Sequence, residues 1–202
     1  TEGLEPSAQP LLYAAAISPR AILENVLVDP QTGKVDFFNS LLTSNGRGMV
    51  KRRDIAFTDD EINLAKVDYV IFITRRYDIM PPVVKLSPEW AAVAFMLGES
   101  VETSAGDPSQ AGKSLRVVGT NPFIVGSHEG EGNTFLRILR HNPDIQCFIL
   151  NTGKVGGTDK GQKITVFDSV KILEMLARDR ISWHRDEFWG YEVPARIPGV
   201  EL

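Results

Sequence analysis

Two apolar runs, DYVIFIT (Asp68 to Thr74) and QCFILN (Gln146 to Asn151), do most to set the fold class of this 202-residue chain. Both are short and rich in β-branched or aromatic residues. Neither alternates polar with apolar, as a strand with one wet face would, so both read as strands covered on two sides. Such strands need helices on both faces, and the chain supplies candidates. LSPEWAAVAFMLGES predicts a helix over Pro88–Leu97, where Ser87 can cap, Pro88 fits the first helical position and Glu89 suits the positive end. NTFLRILRH is an amphipathic helix, and DSVKILEMLARD is another with Asp168 or Ser169 near its cap. Leu11 to Ile17 forms a short Ala-rich helix stopped by Ser18 and Pro19. Interleaved helices and strands define an α/β or α+β protein with a mixed sheet.

The remaining segments are less regular. DPQTG, between AILENVLVD and KVDFF, has Pro and Gly where a tight turn needs them, so a β-hairpin is expected there. SNGRGMVKRR reads as a solvated loop, LRVVG and KITVF as short strands, and the tail FWGYEVPARIPGVEL as irregular or extended chain. Residues 98–114 are polar, small and without apolar period, which is the composition of a lid or a disordered segment. The chain is expected to form one domain over residues 1–202. Its opening, TEGLEPSAQP, reads as a connection cut from something longer.

Composition narrows the function classes. A net charge of −4 argues against a general nucleic-acid surface, so any anion site must come from a local arrangement. No apolar run approaches the ~18 residues of a membrane span, and the expectation is a cytoplasmic protein with no nucleic-acid or membrane partner. The single cysteine, Cys147, lies within an apolar run and reads as a buried small side chain, so neither a disulfide framework nor a zinc site can be built on it. His128, His141 and His184 are dispersed without metal-ligand spacing, and no metal site is expected among the residues present. His128, in SHEGEGN, reads as part of a solvated turn. AGDPSQAGKS imitates a phosphate loop, but five residues separate Gly106 from Gly112 and no buried strand precedes it. No G-x-S-x-G elbow is present.

The stretch FILNTGKVGGTDKGQKITVFDS, residues 148–169, is the strongest site candidate. A buried strand ends in Asn151, Thr152 and Gly153, whose side-chain oxygens and backbone NH groups sit where open α/β sheets bind ligands. Gly153, Gly156, Gly157 and Gly161 allow close approach of a ligand, and Lys154, Lys160 and Lys163 could attract phosphate or purine nitrogens. Arg47, between two glycines, is a complementary cation for a terminal phosphate. A flexible hairpin with no ligand accounts for the same residues equally well.

The order of motifs goes further. PLLYAAAISPRAILENVLVDPQTGKVDF, SNGRG, DYVIFITRRYDIMPPVVKLS, AGDPSQAG, the glycine stretch and VPARIPGV resemble, in that order, the C-terminal half of ATP-dependent phosphoenolpyruvate carboxykinase. That family converts oxaloacetate and ATP to phosphoenolpyruvate, CO2 and ADP with Mg2+ and Mn2+ on a mononucleotide-binding α/β domain. The resemblance implies that Arg47 contacts the transferring phosphoryl group, that Lys163 and Ile164 border the adenine, and that Ser169 contacts the same ligand. It implies that Ala105 to Gly112 is a mobile lid. The family's phosphate loop, metal ligands and oxaloacetate-binding residues lie upstream of the matched region, so Mg2+ and Mn2+ are expected only with the missing N-terminal portion. TSNGRGMVKR stands where the family has TENTRVSYP, which marks a divergent relative.

Two functions fit. One is the nucleotide-binding part of a carboxykinase-like phosphotransferase, inactive alone because phosphate cradle, metal and acceptor must act together. The other is a non-catalytic nucleotide-sensing or interaction module that keeps the fold.

Overall fold

A computed structural model describes residues 3–39, 41–42, 46–59, 61–77, 80–97, 99–101, 114–116, 125–157 and 160–201. The chain divides into two compact units, the first holding the described residues up to Ala65 and the second those from Lys66 onward.

The first unit contains α1 (Pro10–Ala16), β1 (Ile22–Glu24), β2 (Leu27–Val28), β3 (Val35–Asp36) and β4 (Arg47–Met49). The expected hairpin is β2–β3, in register Leu27 with Asp36 and Val28 with Val35. Its turn is held by Asp29, whose carboxylate accepts the amides of Gln31 at 2.8 Å and Thr32 at 3.0 Å, while Gly33 takes the left-handed φ of 68°. These amides hold the Asp29 carboxyl below its ordinary value. One expectation is corrected here: Arg47–Met49 is not loop but a strand paired antiparallel with Ile22–Glu24. Gly48 stands opposite Leu23 in this ladder, and the opposed Glu24 and Arg47 make a cross-strand charge pair. Leu4, Ala16 and Phe37 form the small core of this unit.

The second unit is built on a five-stranded mixed sheet in the order β12–β13–β6–β9–β5. Its strands are β5 (Tyr69–Thr74), β6 (Val83–Leu86), β9 (Gln146–Asn151), β12 (Ser182–Arg185) and β13 (Glu192–Arg196). The two diagnostic runs are neighbours: β5 pairs parallel with β9 along their whole length, Tyr69 opposite Gln146 through Thr74 opposite Asn151. Alternation along β9 sends Cys147 to one face and Phe148 and Leu150 to the other, and both faces are covered. On one side Phe148, Leu150 and Val83 meet Ile172, Met175 and Leu176 of α4 (Val166–Ala177). On the other, Cys147, Val84 and Leu86 meet Ala91 of α2 (Pro88–Leu97) and Leu139 of α3 (His128–His141). The expected α/β class with a mixed sheet is therefore observed.

Several boundaries differ from expectation for identifiable reasons. SHEGEGN is not a turn: Ser127 accepts the amide of Gly130 at 3.0 Å, acidic side chains at 129 and 131 favour the positive end, and α3 begins at His128. KITVF is not one strand. Only Gln162–Lys163 is extended, as β11, because Thr165 and Asp168 form a reciprocal capping box that starts α4 at Val166, so the cap is Thr165 rather than Asp168 or Ser169. The tail contributes β13 to the sheet, with Pro194 tolerated opposite Trp183. Within 98–114, Glu99–Val101 (β7) pairs antiparallel with Ser114–Arg116 (β8), so its ends are a ladder rather than structureless chain. The lid segment Ala105–Gly112 lies outside the described residues, as does most of LRVVG.

Candidate functional site at the carboxyl end of strand β9

Asn151 ends β9 with no exposed surface. Its Oδ1 accepts the amides of Arg76 and Gly153, each at 2.9 Å, and its Nδ2 donates to the carbonyls of Met80 at 3.2 Å and Lys154 at 3.1 Å. All four hydrogen-bonding positions of the amide are thereby occupied. Thr152 donates both its amide (2.8 Å) and its hydroxyl (3.0 Å) to the carbonyl of Thr74, and Lys154 donates its amide to the carbonyl of Arg76 at 2.7 Å. The N-T-G sequence thus ties the ends of β5 and β9 to the Met80 segment. Gly153 is required by contact, since a Cβ there would collide with the Arg76 carbonyl.

From this clasp projects the ladder β10 (Lys154–Val155) with β11 (Gln162–Lys163), in register Lys154 with Lys163 and Val155 with Gln162. Gly156 and Gly157 turn the chain at φ 84° and 94°, which side chains rarely adopt. Lys163 and Lys160 are exposed. Ile164 is buried beneath the ladder, its amide donating to the carbonyl of Gly153 at 2.9 Å. Ser169 lies in the first turn of α4 and donates its hydroxyl to the carbonyl of Thr165 at 3.1 Å. The structure thus gathers Asn151, Thr152, Gly153, Lys163, Ile164 and Ser169 in one unit at the carboxyl edge of the sheet. Arg47 belongs to the other unit, where its Nη2 donates to Glu24 Oε1 at 3.0 Å and both side chains are about half exposed.

Beside the ladder lies a cleft of about 590 Å³ that the sequence did not announce. Its lining includes Pro81 and Pro82, Val155 and Gly156 of the glycine hairpin, Val193 to Ile197 of β13 and the chain just beyond it, and Trp189 and Tyr191. Pro82 offers its carbonyl to the amide of Asn151 at 3.0 Å, which places the cleft at the carboxyl end of β9. Aromatic residues in a tail broken by proline and glycine carry no motif, so only the sheet topology reveals them. The three histidines remain apart: His128 and His141 are the two ends of α3 and His184 lies in β12. Among the described residues no three His, Cys, Asp or Glu side chains gather to hold a metal. Among the same residues no helix is long and apolar enough to cross a membrane. Cys147 is buried and its thiol is pushed up to about 11 by that burial.

A mixed sheet covered by helices on both faces, with a glycine-turned basic hairpin at the carboxyl end of a strand paired parallel to its neighbour, defines an α/β protein. The sequence model of phosphoenolpyruvate carboxykinase matches residues 1–202, and the chain belongs to that family. It is 34% identical over 194 residues to "Phosphoenolpyruvate carboxykinase (ATP)" of Aeropyrum pernix, covering 95% of this chain and 37% of the relative. It is 30% identical over 205 residues to the protein of the same name from Shouchella clausii, and 28% identical over 206 residues to "Phosphoenolpyruvate carboxykinase (ATP) 1" of Salinibacter ruber. The latter two matches each cover 98% of this chain and 38% of the relative. The chain therefore spans less than two-fifths of the length of these relatives.

Proposed function

We propose that this chain is the nucleotide-binding part of an ATP-dependent phosphoenolpyruvate carboxykinase, the phosphotransferase that turns oxaloacetate and ATP into phosphoenolpyruvate, ADP and CO2. The observation that carries the reading is the family match over the whole chain combined with the glycine-turned, lysine-bearing ladder at the carboxyl end of β9. In this reading Lys163 of β11 and Ile164, which follows it, border the adenine, Ser169 contacts the nucleotide at the start of α4, and the Asn151–Thr152–Gly153 clasp fixes the hairpin. Arg47 meets charge developing on the transferred phosphoryl group. The phosphate cradle, the Mg2+ and Mn2+ ligands and the acceptor site come from the part of the relatives' length that this chain does not span, and the chain alone is inactive.

Phosphate and metal contacts supply most of the affinity for ATP, so the isolated chain binds it weakly, with a dissociation constant on the order of 1 mM. Titration with ATP should move the amide signals of residues 151–157 and 160–169, and Lys163→Ala should abolish the shift. ATP at several millimolar that leaves these signals still, or turnover of oxaloacetate by the 202-residue chain, would overturn the reading.

A further inference from the structure

The cleft beside the glycine hairpin is separate from the Lys163 face. Val155 lines it, and in the ladder Val155 stands opposite Gln162, so alternation sends Lys154 and Lys163 to the other face. Gln162 turns toward the cleft side and donates to the carbonyl of Glu201, itself a lining residue, at 2.8 Å. The hairpin thus has two working sides, and the nucleotide reading uses one.

The chemistry of the second side is specific. Trp189 and Tyr191 present parallel rings, 5° apart in plane with centroids at 6.3 Å, and Tyr191 is fixed from behind by an edge contact with Trp90 at 6.0 Å. Asp186 is locked beside them: its Oδ1 accepts the amides of Phe188 at 3.0 Å and Trp189 at 2.6 Å, and its backbone closes the turn with Tyr191 and Gly190. Among the described lining residues Asp186 and Glu201 supply two carboxylates and Arg196 one guanidinium, while Pro82, Val193 and Val200 supply apolar walls. Aromatic faces with an adjacent fixed carboxylate attract cations and stack flat rings. A volume of about 590 Å³ is that of a small-molecule site.

We propose that this cleft binds a small molecule carrying a planar ring and a positive charge, the ring lying against Trp189 and Tyr191 and the charge beside Asp186. The occupant touches Val155 and Gly156, so binding is felt by the hairpin that bears Lys163 on its other side. The inference does not depend on the nucleotide reading, because it uses different side chains.

The test compares two probes of one shape and opposite charge, phenethylamine and 3-phenylpropionate, titrated into the 202-residue chain while backbone amide signals are followed. Phenethylamine should shift Val155, Gly156, Tyr191 and Arg196 saturably, with a dissociation constant on the order of 1 mM for a molecule of this size. 3-Phenylpropionate should bind at least tenfold more weakly. Trp189→Leu should weaken phenethylamine binding about tenfold. Asp186→Asn keeps an acceptor for the two amides, preserving the turn, and should erase the preference between the probes. Equal binding of the two probes by the unsubstituted chain, shifts confined to other residues, or a preference unchanged in Asp186→Asn would overturn the proposal, whether or not Trp189→Leu folds.

Discussion

The side-chain oxygen of Asn151 accepts the backbone amide of Arg76 at 2.9 Å, joining two positions 75 residues apart. Parallel strands cannot be joined by a tight turn, so the carboxyl ends of β5 and β9 must be secured by something other than their connection. Asn151 does this with a fully occupied amide, and the glycine hairpin departs from that fixed point.

Replacing Asn151 should therefore act on the fold. Asn151→Ala strands two amides and two carbonyls beneath a side chain with no exposed surface, and each buried group left without a partner costs about 1 to 3 kcal/mol. A loss of about 3 kcal/mol is expected after partial relaxation, read as a lower denaturant midpoint at unchanged slope. A loss under about 0.5 kcal/mol, the range of ordinary surface changes, would mean that the clasp is not what secures the strand ends.

Gly153 gives a sharper contrast. Gly153→Ala drives a methyl into the Arg76 carbonyl, which is backbone and cannot swing aside, whereas a methyl at Gly126 meets nothing within 4 Å. The first substitution should destabilise by about 2 kcal/mol or more and the second by less than about 0.5 kcal/mol. Thermal midpoints of the two variants, measured side by side, decide it.

The start of α4 provides a test of coupling. Thr165 Oγ1 accepts the Asp168 amide at 3.1 Å, and Asp168 Oδ2 accepts the Thr165 amide at 2.8 Å. Thr165→Ala and Asp168→Ala should each cost about 1 kcal/mol, and the double variant clearly less than their sum, since each single change already opens the same box. Strict additivity in a double-mutant cycle would contradict this.

The capping box also marks where sequence reading succeeds and fails. β9 is legible because a strand covered on both faces must be apolar without alternation, and nothing local competes with that signal; β5 carries the same kind of apolar run, but as the edge strand it leaves Ile73 exposed, against the expectation of cover on two sides. At KITVFDS two signals compete: a β-branched run favours a strand, while Thr165 and Asp168 at capping spacing favour a helix start. The cap prevails, because α4 can then bury Ile172, Met175 and Leu176 against the sheet. The glycine hairpin is legible from composition, but the occupied amide of Asn151 is not, since its partners lie at Arg76 and Met80, far away in sequence. The Trp189–Tyr191 cleft is invisible for the same reason: its walls come from three distant segments that only the strand order β13–β6–β9 brings together.

Cys147 predicts a pH effect. Its folded-state pKa, about 11, stands above the ordinary thiol value of 9.0 because burial disfavours the thiolate. The folded chain then holds that proton more tightly than the unfolded one, so the contribution is fully present below pH 9 and is lost as pH rises toward 11. A shift of this size corresponds to about 2 to 3 kcal/mol. Cys147→Ala should show a shallower loss of stability between pH 9 and 11, with lysine and tyrosine titration common to both chains. Identical slopes would mean that the thiol ionises without cost.

Arg47 carries the prediction that reaches the chemistry. It sits opposite Glu24 on a two-stranded ladder, about half exposed, in an ion pair of the kind that contributes at most about 1 kcal/mol to stability. Removing it should leave the fold nearly unchanged, so any large effect must come from the reaction. In a polypeptide of the relatives' full length that carries this sequence, Arg47→Ala should lower kcat about 100-fold, near 3 kcal/mol, while KM for ATP changes little. That split is the signature of a donor aimed at charge that develops during transfer rather than at the bound nucleotide. Arg47→Lys should recover only part of the loss, because an ammonium cannot reproduce the two-pronged contact of a guanidinium with phosphoryl oxygens. An unchanged kcat, or a loss seen entirely in KM, would remove Arg47 from the transferring group.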